Sequence, residues 1–130
     1  MILFKESMVP LILNGTKTVT RRRGKCRWRV GAIHQCYTRP AFARPPGKPF
    51  ARVRIVSVTQ QTWPGQSVLR PVHATIGARR EHDRREAILE GFPSWHDFCE
   101  AYRKINGEAS WGDPCWRVEF IVVDTKGAVR

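Results

Sequence analysis

A lysine and a threonine lie three positions apart in the most basic run of the chain, which reads TKTVTRRR over residues 16–23. Neighbouring positive charges disfavour protonation of Lys17, so its pKa falls toward neutrality if the side chain is also buried. A neutral lysine can take a proton from a hydroxyl such as that of Thr20, or attack a carbonyl carbon itself. A regular strand places positions 17 and 20 on opposite faces, because side chains alternate. This chemistry therefore requires a bulge or a turn between the two residues.

A second pair that could take part in chemistry is His34 and Cys36. Their H-x-C spacing puts two possible metal ligands on one face of a strand. Strand alternation alone produces such pairs, and no second pair completes a site. The zinc deaminase signature needs H-x-E followed by P-C-x-x-C. Here Pro114-Cys115 lacks the second cysteine, and no histidine has a glutamate two residues later. We therefore expect no metal and no other cofactor.

The charges are divided sharply along the chain. Residues 7–80 contain fifteen Lys and Arg and no Asp or Glu, whereas residues 81–130 contain ten acids and seven bases. The formal net charge is +12. A long basic segment without acidic residues indicates a polyanionic partner, and nucleic acid is the commonest polyanion.

Length and composition predict one domain with a single core, since 130 residues with 42% hydrophobic content suffice for one. No apolar run approaches the ~18 residues of a membrane span, and the first residues do not resemble a signal peptide. The four cysteines form no CxxC pair, which is typical of thiols in a reducing cytosol. These features predict a cytoplasmic protein without a membrane partner.

Hydrophobic periodicity and turn residues predict an α+β domain. Val56 and Val58 break the alternation of the third strand, which indicates either a bulge or a strand end that is covered on both faces. Strands do not alternate regularly with helices, so we expect a small mixed β-barrel with two or three short helices packed on it. The predicted strands cover about 2–5, 16–23, 30–38, 50–59 and 115–123, with a shorter one near 66–70, and the predicted helices cover 8–14, 79–90 and 94–106.

Three segments, in order, carry a family pattern: ILNGTKTVTRR at 12–22, RVGAI at 29–33 and EGFPSWHDF at 90–98. Together they resemble the ASCH domain family of the PUA-like β-barrel superfamily. Its members typically read L-x-G-x-K-x-x-T-x-R early, V-G-D in the middle and E-G-F-x-S-x-x-x-F before the last helix. The first and third segments match closely, whereas Ala32 stands where Asp is usual. The resemblance covers residues 1–124 and leaves 125–130 as a tail that we expect to be frayed.

The resemblance implies a cleft beside the barrel, lined by residues 15–22 and by Glu90. The family is associated with RNA binding and RNA metabolism, and one branch is linked to RNA cleavage. A small bacterial branch hydrolyses the acetyl amide of N4-acetylcytidine, and its reacting Lys, Thr and Glu map onto Lys17, Thr20 and Glu90. Glu90 would accept a proton or hold the amino edge of a cytosine-like base. Alternatively, Glu90 only pairs with one of several basic residues that contact phosphates.

We therefore expect an RNA-binding or nucleotide-binding protein with a basic cleft, whose partner is RNA or a nucleoside-like ligand. The alternatives are an amidohydrolase acting on an N4-acylated cytidine, a ribonuclease, and a small adaptor in a translation or transcription complex. The predicted nucleic-acid contacts are Lys17, Arg21, Arg22, Arg23, Trp28, Arg52 and Arg54.

Aromatic residues divide into two classes by their surroundings. Trp28 lies between two arginines and Trp63 lies in a loop, so each is either a base-stacking platform or a lid over the barrel end. Glu86 lies among the arginines of the helix predicted over 79–90, which predicts local pairing. Four aromatic residues fall at regular apolar positions and are predicted core residues: Trp95, Phe98, Trp116 and Phe120.

Overall fold

The protein folds into a curled, mixed five-stranded sheet with three helices, as described by a computed structural model covering residues 1–62, 76–107 and 113–125. This is the small α+β architecture that the sequence predicts. The strand predicted near 66–70, Trp63 and tail residues 126–130 lie outside the described residues. The strands are β1 (Ile2–Leu3), β2 (Val19–Arg23), β3 (Ile33–Tyr37), β4 (Ala51–Thr62) and β5 (Pro114–Asp124), and the helices are α1 (Val9–Leu13), α2 (Ile76–Leu89) and α3 (Trp95–Asn106).

The strands follow the order β1-β3-β4-β5-β2 across the sheet. β1 runs parallel to β3, and the other neighbours are antiparallel. A register shift between Ile55 and Ser57 leaves Val56 exposed and returns Val58 to the core, which confirms the predicted bulge. β2, which carries the basic run, is therefore an edge strand whose partner is the last strand of the chain.

The barrel core consists of the inward faces of the strands together with residues before α1. Phe4, Phe50 and Phe120 contribute its rings, with Phe4 and Phe120 centroids 6.0 Å apart. Trp28 is half-buried against this core and lies 5.3 Å from the ring of His34, which favours the lid interpretation of this residue.

One arginine links the two edges of the curled sheet. Arg22 of β2 donates from Nη2 to the carbonyl oxygen of Leu3 in β1 at 2.7 Å. Its guanidinium lies over the ring of Phe4, 5.2 Å from the centroid. A side chain thus spans the seam that no backbone ladder among the described strands closes.

The helix α3 anchors a second apolar cluster. The Ser94 hydroxyl caps the helix by accepting from the Asp97 backbone N–H at 3.1 Å, and it donates to the Asp97 carboxylate at 2.9 Å. Phe98 is buried, as is Phe120, which confirms those two core predictions. Trp95 and Trp116 are only partly buried, because each packs at the margin of its cluster.

Candidate functional site

The chain places Lys17 between the ends of two helices. Its backbone N–H donates to the carbonyl of Leu11 in α1 at 2.9 Å, and the N–H of Thr18 donates to Leu89 in α2 at 2.9 Å. β2 begins only at Val19. Lys17 therefore lies before the strand, and the alternation rule does not separate it from Thr20. Both side chains line one cavity.

Glu90 reaches the same cavity from the end of α2. Its N–H donates to the carbonyl of Glu86 at 3.0 Å, so Glu90 continues the last turn of the helix. Gly91 then adopts a φ of 93°, a conformation that L side chains rarely take. A Cβ at Gly91 would also lie 2.9 Å from Met8 Sδ, so glycine allows the chain to pass closely beneath the N-terminal segment.

Lys17 and Glu90 form a buried pair, each with a side chain only 4% exposed. Lys17 Nζ donates to Glu90 Oε1 at 3.2 Å, to the Glu90 carbonyl at 2.6 Å and to the Val19 carbonyl at 2.7 Å. Three acceptors match the three protons of an ammonium group. Burial lowers the pKa of Lys17 from its ordinary value, the Glu90 carboxylate opposes this, and the charges of Arg22 and Arg21 lower it further. The direction is the one that the sequence predicts.

Arg21 holds two carboxylates at once. It donates from Nη1 to Glu90 at 2.8 Å, from Nη2 to Glu86 at 2.6 Å and from Nε to Gln61 at 3.0 Å. Burial alone lowers the pKa of Arg21, but the two carboxylates outweigh it and the net shift is upward. Its guanidinium also lies 5.5 Å from the centre of the Phe98 ring. The prediction of Arg21 as a nucleic-acid contact stays untested. In the structure its guanidinium hydrogen-bonds to three side chains of the same chain.

Glu86 and Arg117 are residues of the network that sequence reasoning missed. Arg117 donates to Glu86 from Nε at 2.7 Å and from Nη2 at 3.1 Å, and both side chains are buried. The predicted local pairing of Glu86 within α2 is wrong, because its carboxylate turns toward the sheet. Glu90 is accordingly not the single acid of this region. The available signal was an arginine within β5, a strand that is mostly apolar.

The cavity itself has a volume of 570 Å³, within the ordinary range for a small-molecule site. Phe4, Phe92 and Phe98 supply aromatic walls, and Thr20, Thr38 and Asn106 supply hydrogen-bonding groups. Its charged lining consists of one acid and five bases: Glu90, Lys5, Lys17, Arg21, Arg22 and Arg23.

Arg22 differs from the other buried bases of this wall. It donates from Nε to the Thr20 hydroxyl at 3.1 Å and from Nη2 to the Leu3 carbonyl. No carboxylate among the described residues hydrogen-bonds to it. Burial lowers the pKa of Arg22, and the more distant Glu90 only partly offsets this. Its charge thus has no hydrogen-bonded counter-ion among the described residues.

The remaining predicted contacts lie apart from this network. Arg23 pairs with Asp113 at 2.6 Å, and Arg52 pairs with Asp124 across the sheet. Arg54 is exposed opposite Ile121. The structure thus assembles Lys17, Thr20, Glu90, Arg21 and Arg22 at one place, with Arg23 at its margin, and does not bring Arg52 there.

Among the described residues, no group of three or more His, Cys, Asp or Glu side chains is arranged to hold a metal ion. Within the same residues, none of the helices has the length and apolar character needed to cross a membrane.

Comparison with known proteins identifies the fold of this chain through structural similarity alone. No protein-family sequence model matches the chain, and no curated protein matches it in sequence. An ASCH domain from Lactobacillus crispatus JV V101 superposes with a TM-score of 0.55 at 19% identity, covering 89% of this chain and 70% of that one. A DUF984 protein from Enterococcus faecalis V583 superposes with a TM-score of 0.57 at 16% identity, covering 98% of this chain and 82% of that one. The chain has an ASCH-like fold, which confirms the predicted resemblance at that level.

Proposed function

We propose that this protein binds a nucleotide unit in the cavity beside β2, with Arg22 as the anion contact. The observation that carries the proposal is the half-buried Arg22 guanidinium, which has no carboxylate partner among the described residues. A buried charge without a counter-ion is costly to the fold. A phosphate oxygen would supply the missing partner, and guanidinium is well suited to it.

The other walls support a nucleobase rather than a bare anion. Phe4, Phe92 and Phe98 offer ring surfaces, whereas Thr38 and Asn106 offer polar groups that can fix a base edge. Glu90 can accept from an exocyclic amino group, the contact by which acids recognise cytosine. Cytidine monophosphate is therefore the first ligand to test.

Titration calorimetry with cytidine 5′-monophosphate, cytidine and inorganic phosphate tests the proposal. We expect Arg22→Gln to weaken binding of the monophosphate by roughly 10-fold or more, since a charge-assisted hydrogen bond contributes about 1.5–3 kcal/mol. Arg54→Gln is the matched control, because it removes an equal charge from an exposed position outside the cavity lining. Unchanged monophosphate affinity in a folded Arg22→Gln protein would overturn the proposal.

A second candidate function is hydrolysis of an acyl amide on such a base. It is favoured by one observation, the presence of Lys17, Thr20 and Glu90 on the wall of a single cavity. In this reaction Thr20 Oγ1 attacks the amide carbonyl carbon and its proton passes to Lys17, which must first be neutral. Glu90, 3.2 Å from Lys17 Nζ, is placed to take the ammonium proton and return one to the leaving amine. Water then cleaves the acyl ester on Thr20.

The hydrolysis is tested by incubating the protein with N4-acetylcytidine and separating cytidine and acetate by chromatography. We expect Thr20→Val and Lys17→Met to abolish turnover, whereas Thr18→Val leaves it intact. Formation of cytidine by a folded Lys17→Met protein would contradict the assigned roles, because a thioether cannot act as a base. Absence of product with the wild-type chain would eliminate this substrate. It would not bear on nucleotide binding, which the calorimetric titration tests separately.

A further inference from the structure

The most exposed large apolar side chain among the described residues is Phe42, with 82% of its surface accessible. It lies in the loop that joins β3 to β4, residues 39–49, named here the Phe42 loop. No ring contact to another aromatic residue holds Phe42 in place among the described residues. Burying this ring against a partner would remove a large apolar surface from water.

The Phe42 loop has a defined backbone. The carbonyl of Pro40 accepts from the N–H of Ala43 at 3.1 Å and from the N–H of Gly47 at 2.9 Å, which closes the loop on itself. A Cβ at Gly47 would overlap the carbonyl of Arg39, so the two arms pack directly together. Four prolines also restrict its φ angles. The ring is therefore presented with little conformational entropy left to lose on binding.

The charge around Phe42 is uniformly positive. Arg39, Arg44 and Lys48 are exposed, and none forms an ion pair with a described acidic residue. The loop contains no acid of its own. Aromatic side chains among unpaired bases are the combination by which single-stranded nucleic acids are held, through base stacking and phosphate contacts.

The loop also begins at the cavity. Thr38 lines the cavity wall, and Arg39 is the next residue. The four residue-to-residue steps from Thr38 to Phe42 span at most about 14 Å even when fully extended. A ligand of several nucleotides can thus reach from the cavity to the ring.

We propose that the Phe42 loop binds a single-stranded polynucleotide, with one base stacked on Phe42 and phosphates held by Arg39, Arg44 and Lys48. This inference deepens the proposed function, on which it rests for the nucleotide unit that occupies the cavity. It assigns the ligand class as a polymer rather than a free nucleotide.

Fluorescence anisotropy with a labelled oligouridylate of about eight nucleotides measures this binding, at a length within the usual site size. We expect Phe42→Ala to weaken oligouridylate binding about 5- to 150-fold, the measured range for loss of one stacked base. Arg44→Gln should reduce the slope of log affinity against log salt by about 0.7, the value for one phosphate on a single strand. Because these side chains are exposed, the substitutions leave the core intact.

Two controls separate this inference from the cavity proposal. Arg85→Gln removes an exposed charge from α2 and should leave oligouridylate affinity unchanged. Cytidine monophosphate affinity should be the same in Phe42→Ala as in the wild type. If oligouridylate binding depends on Phe42 while cytidine monophosphate does not bind at all, the loop inference holds and the cavity proposal fails.

Other results would overturn the loop inference. One is an oligouridylate affinity of Phe42→Ala within about twofold of the wild type, too small a change for a lost stack. Another is binding to phosphatidylserine vesicles that requires Phe42, together with no oligouridylate binding, which would identify the loop as a membrane contact.

Discussion

Arg21 and Arg117 stand directly opposite each other on the paired strands β2 and β5, and the carboxylate of Glu86 binds both guanidinium groups. Like charges in this register repel, and burial increases the cost. Glu86 converts the repulsion into a three-residue ion network that ties α2 to the sheet. Since Glu90 holds Lys17 and Arg21, the same helix fixes the cavity wall.

Removal of the bridging carboxylate should therefore destabilise the whole domain. We expect Glu86→Ala to lower the free energy of unfolding by about 3–5 kcal/mol, the usual cost of leaving buried charges unpaired. Urea denaturation monitored by tryptophan fluorescence measures the change. Glu81→Ala is the control, because its exposed pair with Arg84 should contribute less than about 1 kcal/mol. Equal stability of the two variants would show that the network does not support the fold.

The same carboxylate should make stability fall in acid. Burial alone raises the pKa of Glu86, but hydrogen bonds and charges from Arg117 and Arg21 outweigh it, so the pKa lies below its ordinary value of 4.5. A lowered carboxyl pKa contributes stability that is present above pH 4.5 and is lost as pH falls through the folded-state value. The difference in unfolding free energy between wild type and Glu86→Gln should therefore shrink on acidification. A difference that stays constant from neutral pH to pH ~3 would contradict this assignment.

Gly91 should be the least replaceable glycine of the site. Gly91→Ala places a side chain at a φ of 93° and brings its Cβ 2.9 Å from Met8 Sδ and 3.2 Å from Leu11 Cδ1. We expect a loss of about 2–3 kcal/mol, from backbone strain together with crowding. Gly107→Ala, at a φ of 83° with open space around it, incurs only the strain and should cost about 1–2 kcal/mol. Thermal unfolding of the two variants compares them.

Phe98 and Trp95 should separate stability from binding. The sequence predicts both as core residues, but Phe98 also lines the cavity, whereas Trp95 does not. We expect Phe98→Ala to cost about 3–5 kcal/mol and also to weaken cytidine monophosphate binding. Trp95→Ala should lower stability by a smaller amount, because the indole is only partly buried, and should leave that affinity unchanged. A loss of affinity in a stable Trp95→Ala protein would contradict this and would place Trp95 at the ligand.

Local features of the structure could be predicted from the sequence. The break at Val56 and the helix predicted from Ser94 each reflect a local preference, and each is found in the structure. The pairing of Glu86 with Arg21 and Arg117 was not predictable in this way. Those residues are separated by 65 and 31 positions, and adjacent arginines in α2 offered the same charge at shorter range. Burial decided the outcome, and burial depends on which helix face meets the sheet.

The approach of Lys17 and Thr20 to one cavity was predictable only in part. Periodicity correctly required a departure from regular strand geometry, but could not show where the departure occurs. The answer depends on Lys17 being held by the ends of α1 and α2, which are distant in sequence.

The separation of charge along the chain also constrains the order of assembly. Lys17 and Arg21 are synthesised before the carboxylates that neutralise them, which follow 73 and 65 residues later. The partner strand of β2 comes later still. At about 5–20 residues per second, the nascent chain exposes an unneutralised basic edge for several seconds before the barrel closes. During that interval the cell's own polyanions are the available counter-ions, so such ligands can act on folding as well as on the folded protein.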